Sequence, residues 1–167
     1  MTDITNLSTV NVAISNYIAV VTMNNPPVNA QNRQFHDDLT LAFDVLSDRN
    51  DVRSIVLTGA GKCFSAGADI KGRASQESDL GDHWVHSRRV RECFYSIMEC
   101  RKPVIAAING AALGAGLAVA ASADILIASE SASVGLPEIN VGLLGGGRHA
   151  MRLFSHSKTR RLMLTGQ

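Results

Sequence analysis

The sequence predicts a single α/β domain, residues 1–167, with parallel strands. Three short apolar runs are typical of strands buried on both faces: residues 54–58, 103–108 and 124–128. The first two runs lead directly into turns of small residues that precede helix starts. Because ligands bind beyond the carboxyl ends of parallel strands, these turns are the first candidates for a functional site.

A β-hairpin and an amphipathic helix are predicted at the start of the chain. Two β-rich runs, residues 10–14 and 18–23, are joined at Ser15-Asn16-Tyr17. In residues 33–50 apolar side chains recur at helical spacing: Phe35, Leu39, Ala42, Phe43 and Leu46. This spacing predicts a helix with one buried face.

The middle of the chain combines a polar stretch with two further helical patterns. Residues 73–82 hold almost no apolar anchors and are expected to form a mobile surface loop. A helix is predicted for residues 83–100, and its apolar side is expected to present Ser87, Val90, Phe94, Ile97 and Met98. The small residues of 113–121 predict a helix packed closely in the interior.

Composition excludes several classes of protein. The 167 residues are 46% hydrophobic and carry a formal net charge of +1, which gives no global field for nucleic acid or an anionic membrane. The cysteines, Cys63, Cys93 and Cys100, are odd in number and lack C-x-x-C spacing, so free thiols in a reducing cytoplasm are expected. No signal peptide and no membrane-spanning stretch is expected.

The two small-residue turns, residues 64–69 and 109–116, predict an oxyanion hole. Small residues let backbone N–H groups approach a ligand closely, and a strand-to-helix turn points those groups outward. A P-loop is excluded because Val56 stands at the required glycine and Cys63 at the magnesium-binding Ser or Thr. A dinucleotide turn is disfavoured because the order G-x-G-x-x-G is not met.

Four motifs carry a family resemblance that spans essentially the whole chain: residues 24–30, 64–70, 108–116 and 135–138. In this order and spacing they resemble the crotonase (enoyl-CoA hydratase/isomerase) superfamily. The resemblance implies a ClpP-like spiral fold of repeated β-β-α units and a homotrimer or a hexamer built as a dimer of trimers. It also implies C-terminal trimerisation helices that are missing from these 167 residues.

The resemblance assigns catalytic roles to three residues. The backbone N–H groups of Ala68 and Ala115 would hold the thioester carbonyl of an acyl-CoA as it becomes an enolate, and Glu138 would move a proton on the substrate carbon skeleton. Glu138 also suits an ordinary helix start after Pro137. No metal and no separate cofactor are implied, because coenzyme A is part of the substrate.

Further residues are implied in binding the substrate or its coenzyme A moiety. They are Ala30, Lys62, Ala66, Gly67, Asp69, Ile70 and Gly114. Lys62 would approach the nucleotide with its cationic side chain, although a solvated loop lysine explains it equally well.

Ala118 is the main departure from the family pattern. It stands where hydratases of this family carry their other catalytic glutamate. Hydration is attributed to both carboxylates, whereas moving a double bond needs one base. The reaction therefore stays open between an enoyl-CoA hydratase-like lyase and an enoyl-CoA isomerase.

Two alternatives remain to an acyl-CoA enzyme: a catalytically inactive CoA-binding homologue and an RNA-binding homologue. The second rests on a basic run without interleaved aromatic residues beyond Phe154: Arg148, Arg152, His156, Lys158, Arg160 and Arg161. Arg148 and His149 are expected at a solvent-facing helix start. His83, His86, Asp79 and Asp82 are expected on a solvated surface rather than around a metal. Arg91 and Gly146 replace the His and Asp of the family's dehalogenases.

Overall fold

Two sheets, a mixed one and a smaller parallel one, form the framework of the structure, a computed structural model that describes residues 4–74 and 79–167. The strands of the described residues are β1 Val10–Ser15, β2 Ile18–Met23, β3 Ser54–Gly59, β4 Cys63–Ser65, β5 Val104–Ile108, β6 Ala111–Leu113, β7 Ile125–Ala128 and β8 Val134–Gly135. The larger sheet has the order β1-β2-β3-β5-β7, and the smaller has the order β4-β6-β8.

The larger sheet confirms the predicted strands to within one residue. β1 and β2 are antiparallel, and Asn16 and Tyr17 both adopt positive φ in the turn between them, as a tight hairpin requires. All other pairs in this sheet are parallel, with Val56 opposite Val20 on one side and Ile105 on the other. Along β3 and β5 the side chains alternate between fully buried and partly exposed positions, so one face of the sheet is fully buried and the other is only partly covered. The prediction that residues 124–128 form a strand buried on both faces is wrong, because Ile125 and Ile127 of the edge strand β7 are exposed.

The smaller sheet corrects the interpretation of both small-residue turns. Residues 64–69 begin within the short strand β4, and residues 109–116 contain the short strand β6. The predicted helix 113–121 begins only at Ala115. Strands of two or three residues are too short to show an alternating pattern in the sequence. Each small-residue turn therefore follows a strand of the smaller sheet, β4 in the first case and β6 in the second.

The helices pack on the larger sheet and around the smaller one. They are α1 Arg33–Asp48, α2 Ile70–Ala74, α3 Leu80–Met98, α4 Ala115–Ala120, α5 Gly147–Ala150 and α6 His156–Thr165, with a 3-10 helix at Pro137–Val141. Asn32 caps α1 by accepting a hydrogen bond from the Phe35 amide at 2.8 Å. α1 and α3 pack together, and Arg89 pairs with Asp37 between them at 2.6 Å.

Two predictions for the middle of the chain need correction. The loop predicted for residues 73–82 is largely helical at its ends, because α2 extends to Ala74 and α3 begins at Leu80 after its N-cap Asp79. The predicted loop residues 75–78 lie outside the described part of the chain. On α3, Ser87 is exposed rather than on the buried side, which His86, Val90 and Phe94 share.

The C-terminal helices form a second, smaller core beside the smaller sheet. Leu117 of α4, Leu136 and Ala150 are buried together in it. The Leu136 amide donates a hydrogen bond to the Gln167 carbonyl at 2.8 Å, so the last described residue holds the start of the 3-10 helix. Among the helices of the described residues, none is long and apolar enough to cross a bilayer.

Candidate active site

The turns that follow β4 and β6 are in direct contact. Gly67 has a φ of +94°, and a Cβ there would lie 2.7 Å from the Leu113 carbonyl oxygen and 3.3 Å from the Ala115 nitrogen. A Cβ on Gly116 would overlap the Ser65 carbonyl in the same way. Glycine is therefore required at both positions because the two backbones touch.

Two backbone amides at this contact have no hydrogen-bond partner. Within residues 4–74 and 79–167, neither the Ala68 N–H nor the Ala115 N–H donates to another group, whereas Gly67 donates to Ser65 and Asp69 donates to Gln31. The Ala115 amide is free because it opens α4, where no earlier helical carbonyl exists. Both unpaired donors are suited to an external oxygen.

The Glu138 carboxylate lies over the second turn. Its Oε1 would be 2.9 Å from a Cβ on Gly114 and 3.3 Å from a Cβ on Gly146, so both glycines make room for it. Its Oε2 is buried and accepts no hydrogen bond from any described residue. Burial raises the pKa of this half-buried carboxyl above its ordinary value, while a hydrogen bond with its own backbone works in the opposite direction.

Ala68, Ala115 and Glu138 line one cavity of about 370 Å³. Seven of the predicted site residues line it: Ala66, Gly67, Ala68, Ile70, Gly114, Ala115 and Glu138. Ala118 also lines it, so the cavity wall has a methyl group where a second carboxylate is expected in hydratases of the resembled family. The cavity has the size of a small-ligand site.

Three predicted binding residues lie away from this cavity. Asp69 accepts a hydrogen bond from the Gly72 amide at 3.0 Å, which caps α2, and lines a neighbouring cavity of about 350 Å³ with Ala68. Ala30 and Lys62 line neither of these two cavities. Their roles in binding coenzyme A stay predictions.

Two histidines in the cavity wall were missed by the sequence interpretation. His36 of α1 is 2% exposed, and His86 of α3 is half-buried rather than on a solvated surface. Leu39 and Phe43 follow His36 by three and seven positions, and this helical spacing is the signal that places His36 on the buried side of α1. His149 also differs from the solvent-facing prediction, because its ring packs edge-on against Phe94 at 4.8 Å.

Asn29 fixes the geometry of the first turn. Its side-chain amide donates to the carbonyls of Cys63 at 2.8 Å and Ala60 at 3.1 Å, and its Oδ1 accepts from the Asn25 amide at 3.0 Å. Its own carbonyl accepts from the Ser65 hydroxyl at 2.8 Å. Asn29 is 2% exposed and has a φ of +52°, so the residue is both buried and strained.

Replacement of Asn29 by alanine is expected to lower the free energy of unfolding by about 2–4 kcal/mol, because buried carbonyls lose their donor. Urea denaturation measures the change. Asn16→Ala is the matched control, since Asn16 also has positive φ but is exposed in the hairpin turn. A similar loss in both variants would mean that backbone conformation, and not the hydrogen bonds, makes Asn29 important.

No group of three or more His, Cys, Asp or Glu side chains in the described part of the chain is arranged to hold a metal ion. The ionisable side chains of the cavity wall are Glu138, His36 and His86.

A two-sheet α/β fold with the cavity between its turns defines a protein of the crotonase class. A solved structure of this class, an enoyl-CoA hydratase/carnithine racemase from Magnetospirillum magneticum, matches 97% of this chain and 62% of its own with a TM-score of 0.91 at 26% identity. The chain belongs to the enoyl-CoA hydratase/isomerase family, because the sequence profile of that family matches residues 13–167. The fold and family expected from the four sequence motifs are confirmed.

Two curated relatives share more than a third of their aligned residues with this chain. A probable enoyl-CoA hydratase from Bacillus subtilis is 39% identical over 147 residues, covering 88% of this chain and 57% of the relative. A (7aS)-7a-methyl-1,5-dioxo-2,3,5,6,7,7a-hexahydro-1H-indene-carboxyl-CoA hydrolase from Mycobacterium tuberculosis is 37% identical over 149 residues, covering 89% of this chain and 60% of the relative. The chain thus spans less than two thirds of the length of these relatives.

Proposed function

We propose that this chain processes acyl-CoA thioesters by stabilising a thioester enolate, with Glu138 as its one carboxylate acid/base. The observation that carries the proposal is the meeting of two unpaired amides, from Ala68 and Ala115, with the Glu138 carboxylate, whose Oε2 has no hydrogen-bond partner among the described residues, around one cavity. The names of the relatives, a hydratase and a hydrolase of CoA thioesters, support the same substrate class.

The two amides have the electrostatic task in this mechanism. A thioester carbonyl oxygen would accept hydrogen bonds from both N–H groups, which need no reorganisation because they are fixed in the backbone. These bonds strengthen as negative charge develops on the oxygen. Binding energy is thereby greater for the enolate than for the thioester, which is the condition for catalysis.

Glu138 has the proton-transfer task. Its carboxylate takes a proton from the carbon beside the thioester, the C–H electron pair moves toward the carbonyl oxygen, and the enolate forms. In a 3-enoyl thioester the proton leaves C2 and returns to C4, and the double bond moves from C3–C4 to C2–C3. The product is the 2-enoyl isomer, with the same atoms as the substrate. The raised pKa of Glu138 suits this role. A carboxylate with a raised pKa accepts a proton more readily, and the carboxylic acid that forms can still return the proton to the substrate.

Ala118 favours one-base chemistry over ordinary hydration. Its side chain is 1% exposed and cannot orient a water molecule or deliver a proton. We therefore place double-bond isomerisation, and hydratase-like lyase chemistry that relies on one glutamate, ahead of hydration by a carboxylate pair.

The proposal extends to the setting of the protein. We propose a single domain that acts in the cytoplasm, as the three free thiols Cys63, Cys93 and Cys100 suit a reducing compartment. A trimer or a dimer of trimers is proposed for the whole protein. Support comes from Ile125 and Ile127 on edge strand β7, which are 52% and 61% exposed in the single chain.

A substrate screen tests the proposal against its two alternatives. Purified protein is titrated with acetyl-CoA and with single-stranded RNA as salt is raised, and turnover of 2-enoyl and 3-enoyl thioesters is followed spectrophotometrically. We expect acetyl-CoA binding that resists salt, and faster conversion of 3-enoyl than hydration of 2-enoyl thioesters. Binding without turnover would identify an inactive CoA-binding protein, and salt-sensitive RNA binding alone would identify an RNA-binding one.

A further inference from the structure

His36 brings a polar ring to a buried position on the cavity wall. The residue is 2% exposed and lies on the face of α1 that also buries Phe35 and Leu39. Its Nδ1 is buried and has no hydrogen-bond partner of good geometry among the described residues, although the nearby Asn32 backbone raises the pKa of His36 slightly. Burying an unpartnered polar atom is costly, and an apolar side chain at this position would avoid the cost.

His86 extends this polar region across to the neighbouring helix. The rings of His36 and His86 lie 6.1 Å apart between centroids and are inclined at 75°. On α3, His86 is followed at helical spacing by Val90 and Phe94, and all three line the same cavity. One side of the cavity therefore combines two imidazoles with an apolar surface.

The imidazole of His36 is neutral at physiological pH. Burial, followed by the proximity of His86 and Arg89, lowers the pKa of His36 to about 4, and Asp37 offsets this only in part. A neutral imidazole has one N–H donor and one nitrogen acceptor. It can therefore bind a hydroxyl group or a carbonyl oxygen, but it contributes no positive charge.

The remaining cavity residues disfavour an acidic ligand group. No lysine or arginine is among the described residues that line the cavity, and Glu138 is its one acidic residue. A second carboxylate on the ligand would be buried beside Glu138, and no lysine or arginine of the described lining would offset their repulsion. A neutral oxygen is the group that fits two imidazoles and a carboxylate.

We infer that the acyl group accepted by this cavity carries a neutral oxygen, as a hydroxyl or a ketone, that hydrogen-bonds to His36. The inference deepens the proposed function and rests on it, since the cavity must first hold an acyl-CoA. Val90 and Phe94 would pack against the carbon part of the same acyl group. His36 thus acts as a specificity-determining residue of the site.

Calorimetric titration with four thioesters of equal chain length tests the inference: hexanoyl-CoA, 4-oxohexanoyl-CoA, 5-oxohexanoyl-CoA and 6-hydroxyhexanoyl-CoA. At least one oxygenated thioester is expected to bind about tenfold more tightly than hexanoyl-CoA, because one buried hydrogen bond increases affinity by about this factor. In His36→Phe, which keeps an aromatic ring, this preference should disappear while hexanoyl-CoA still binds. His36→Gln keeps a donor and an acceptor and should retain part of the preference.

The outcomes separate this inference from the proposed function. If all four thioesters bind alike to the wild-type protein, the inference is wrong and the acyl-CoA function stands. If a preference exists but persists in His36→Phe, the oxygen is bound elsewhere and the inference is again wrong. If no thioester binds, the proposed function fails and this inference with it. Should His36→Phe not fold, the wild-type titration and His36→Gln decide the question.

Discussion

Replacement of Glu138 by glutamine is expected to lower kcat/KM for the preferred thioester by about 10²–10⁴-fold, the usual contribution of a positioned general base. Glutamine keeps the shape of the side chain above Gly114 and Gly146 but cannot take up a proton. Binding of a saturated acyl-CoA should stay within a few-fold of wild type, because the amides of Ala68 and Ala115 are unchanged. A steady-state assay and a titration measure the two effects separately.

The pH profile provides an independent readout for the same residue. Glu138 must be deprotonated to act as a base, and burial raises the pKa of its carboxyl above the ordinary value of 4.5. The wild-type kcat/KM should therefore fall as pH is lowered, with a midpoint above 4.5, and this acidic limb should be absent from the residual activity of Glu138→Gln.

Glu130→Gln is the matched control for Glu138→Gln. Glu130 is an exposed carboxylate on the loop after β7 and lines neither cavity. Its replacement should leave kcat/KM unchanged. Unchanged turnover in Glu138→Gln as well would remove Glu138 from the mechanism, and an equal loss in both variants would indicate a general effect of charge.

The larger sheet could be predicted because its strands carry their own signal. The run of Ile55, Val56 and Leu57 is apolar at successive positions, as a strand covered on both faces requires. The smaller sheet has no such signal, since β4, β6 and β8 have two or three residues each. Their pairing depends on backbone contacts between distant segments, which no local pattern records.

The same distinction holds for the site. The small-residue turns and Glu138 could be placed from motif spacing, because each element of the cradle is local in the sequence. The cavity wall formed by His36 and His86 could not be predicted in this way. These two residues are 50 positions apart in the sequence and meet only because α1 packs on α3. Asn29 lies within the motif of residues 24–30, but no sequence pattern shows that its side chain bonds the carbonyls of Ala60 and Cys63 and so holds the start of β4.

Gly67→Ala is expected to lower the free energy of unfolding by about 2–4 kcal/mol, combining the cost of a positive φ with that of overpacking. The added methyl group would press on the Leu113 carbonyl and the Ala115 nitrogen, where the two turns touch. To relieve this overlap the turns must separate, which moves the amides of Ala68 and Ala115 apart. Acyl-CoA binding should therefore weaken together with stability.

Gly61→Ala is the control that separates two causes of the expected stability loss in Gly67→Ala: the contact between the two turns and the positive φ. Gly61 has a φ of +72°, and a Cβ there would meet nothing within 4 Å. Its replacement should cost about 1–2 kcal/mol through the angle alone and leave acyl-CoA affinity unchanged. Urea denaturation and calorimetric titration of both variants make the comparison. If the two variants lose equal stability and both retain affinity, the contact between the turns does not hold the amides in place, and the cradle would have to be rigid for another reason.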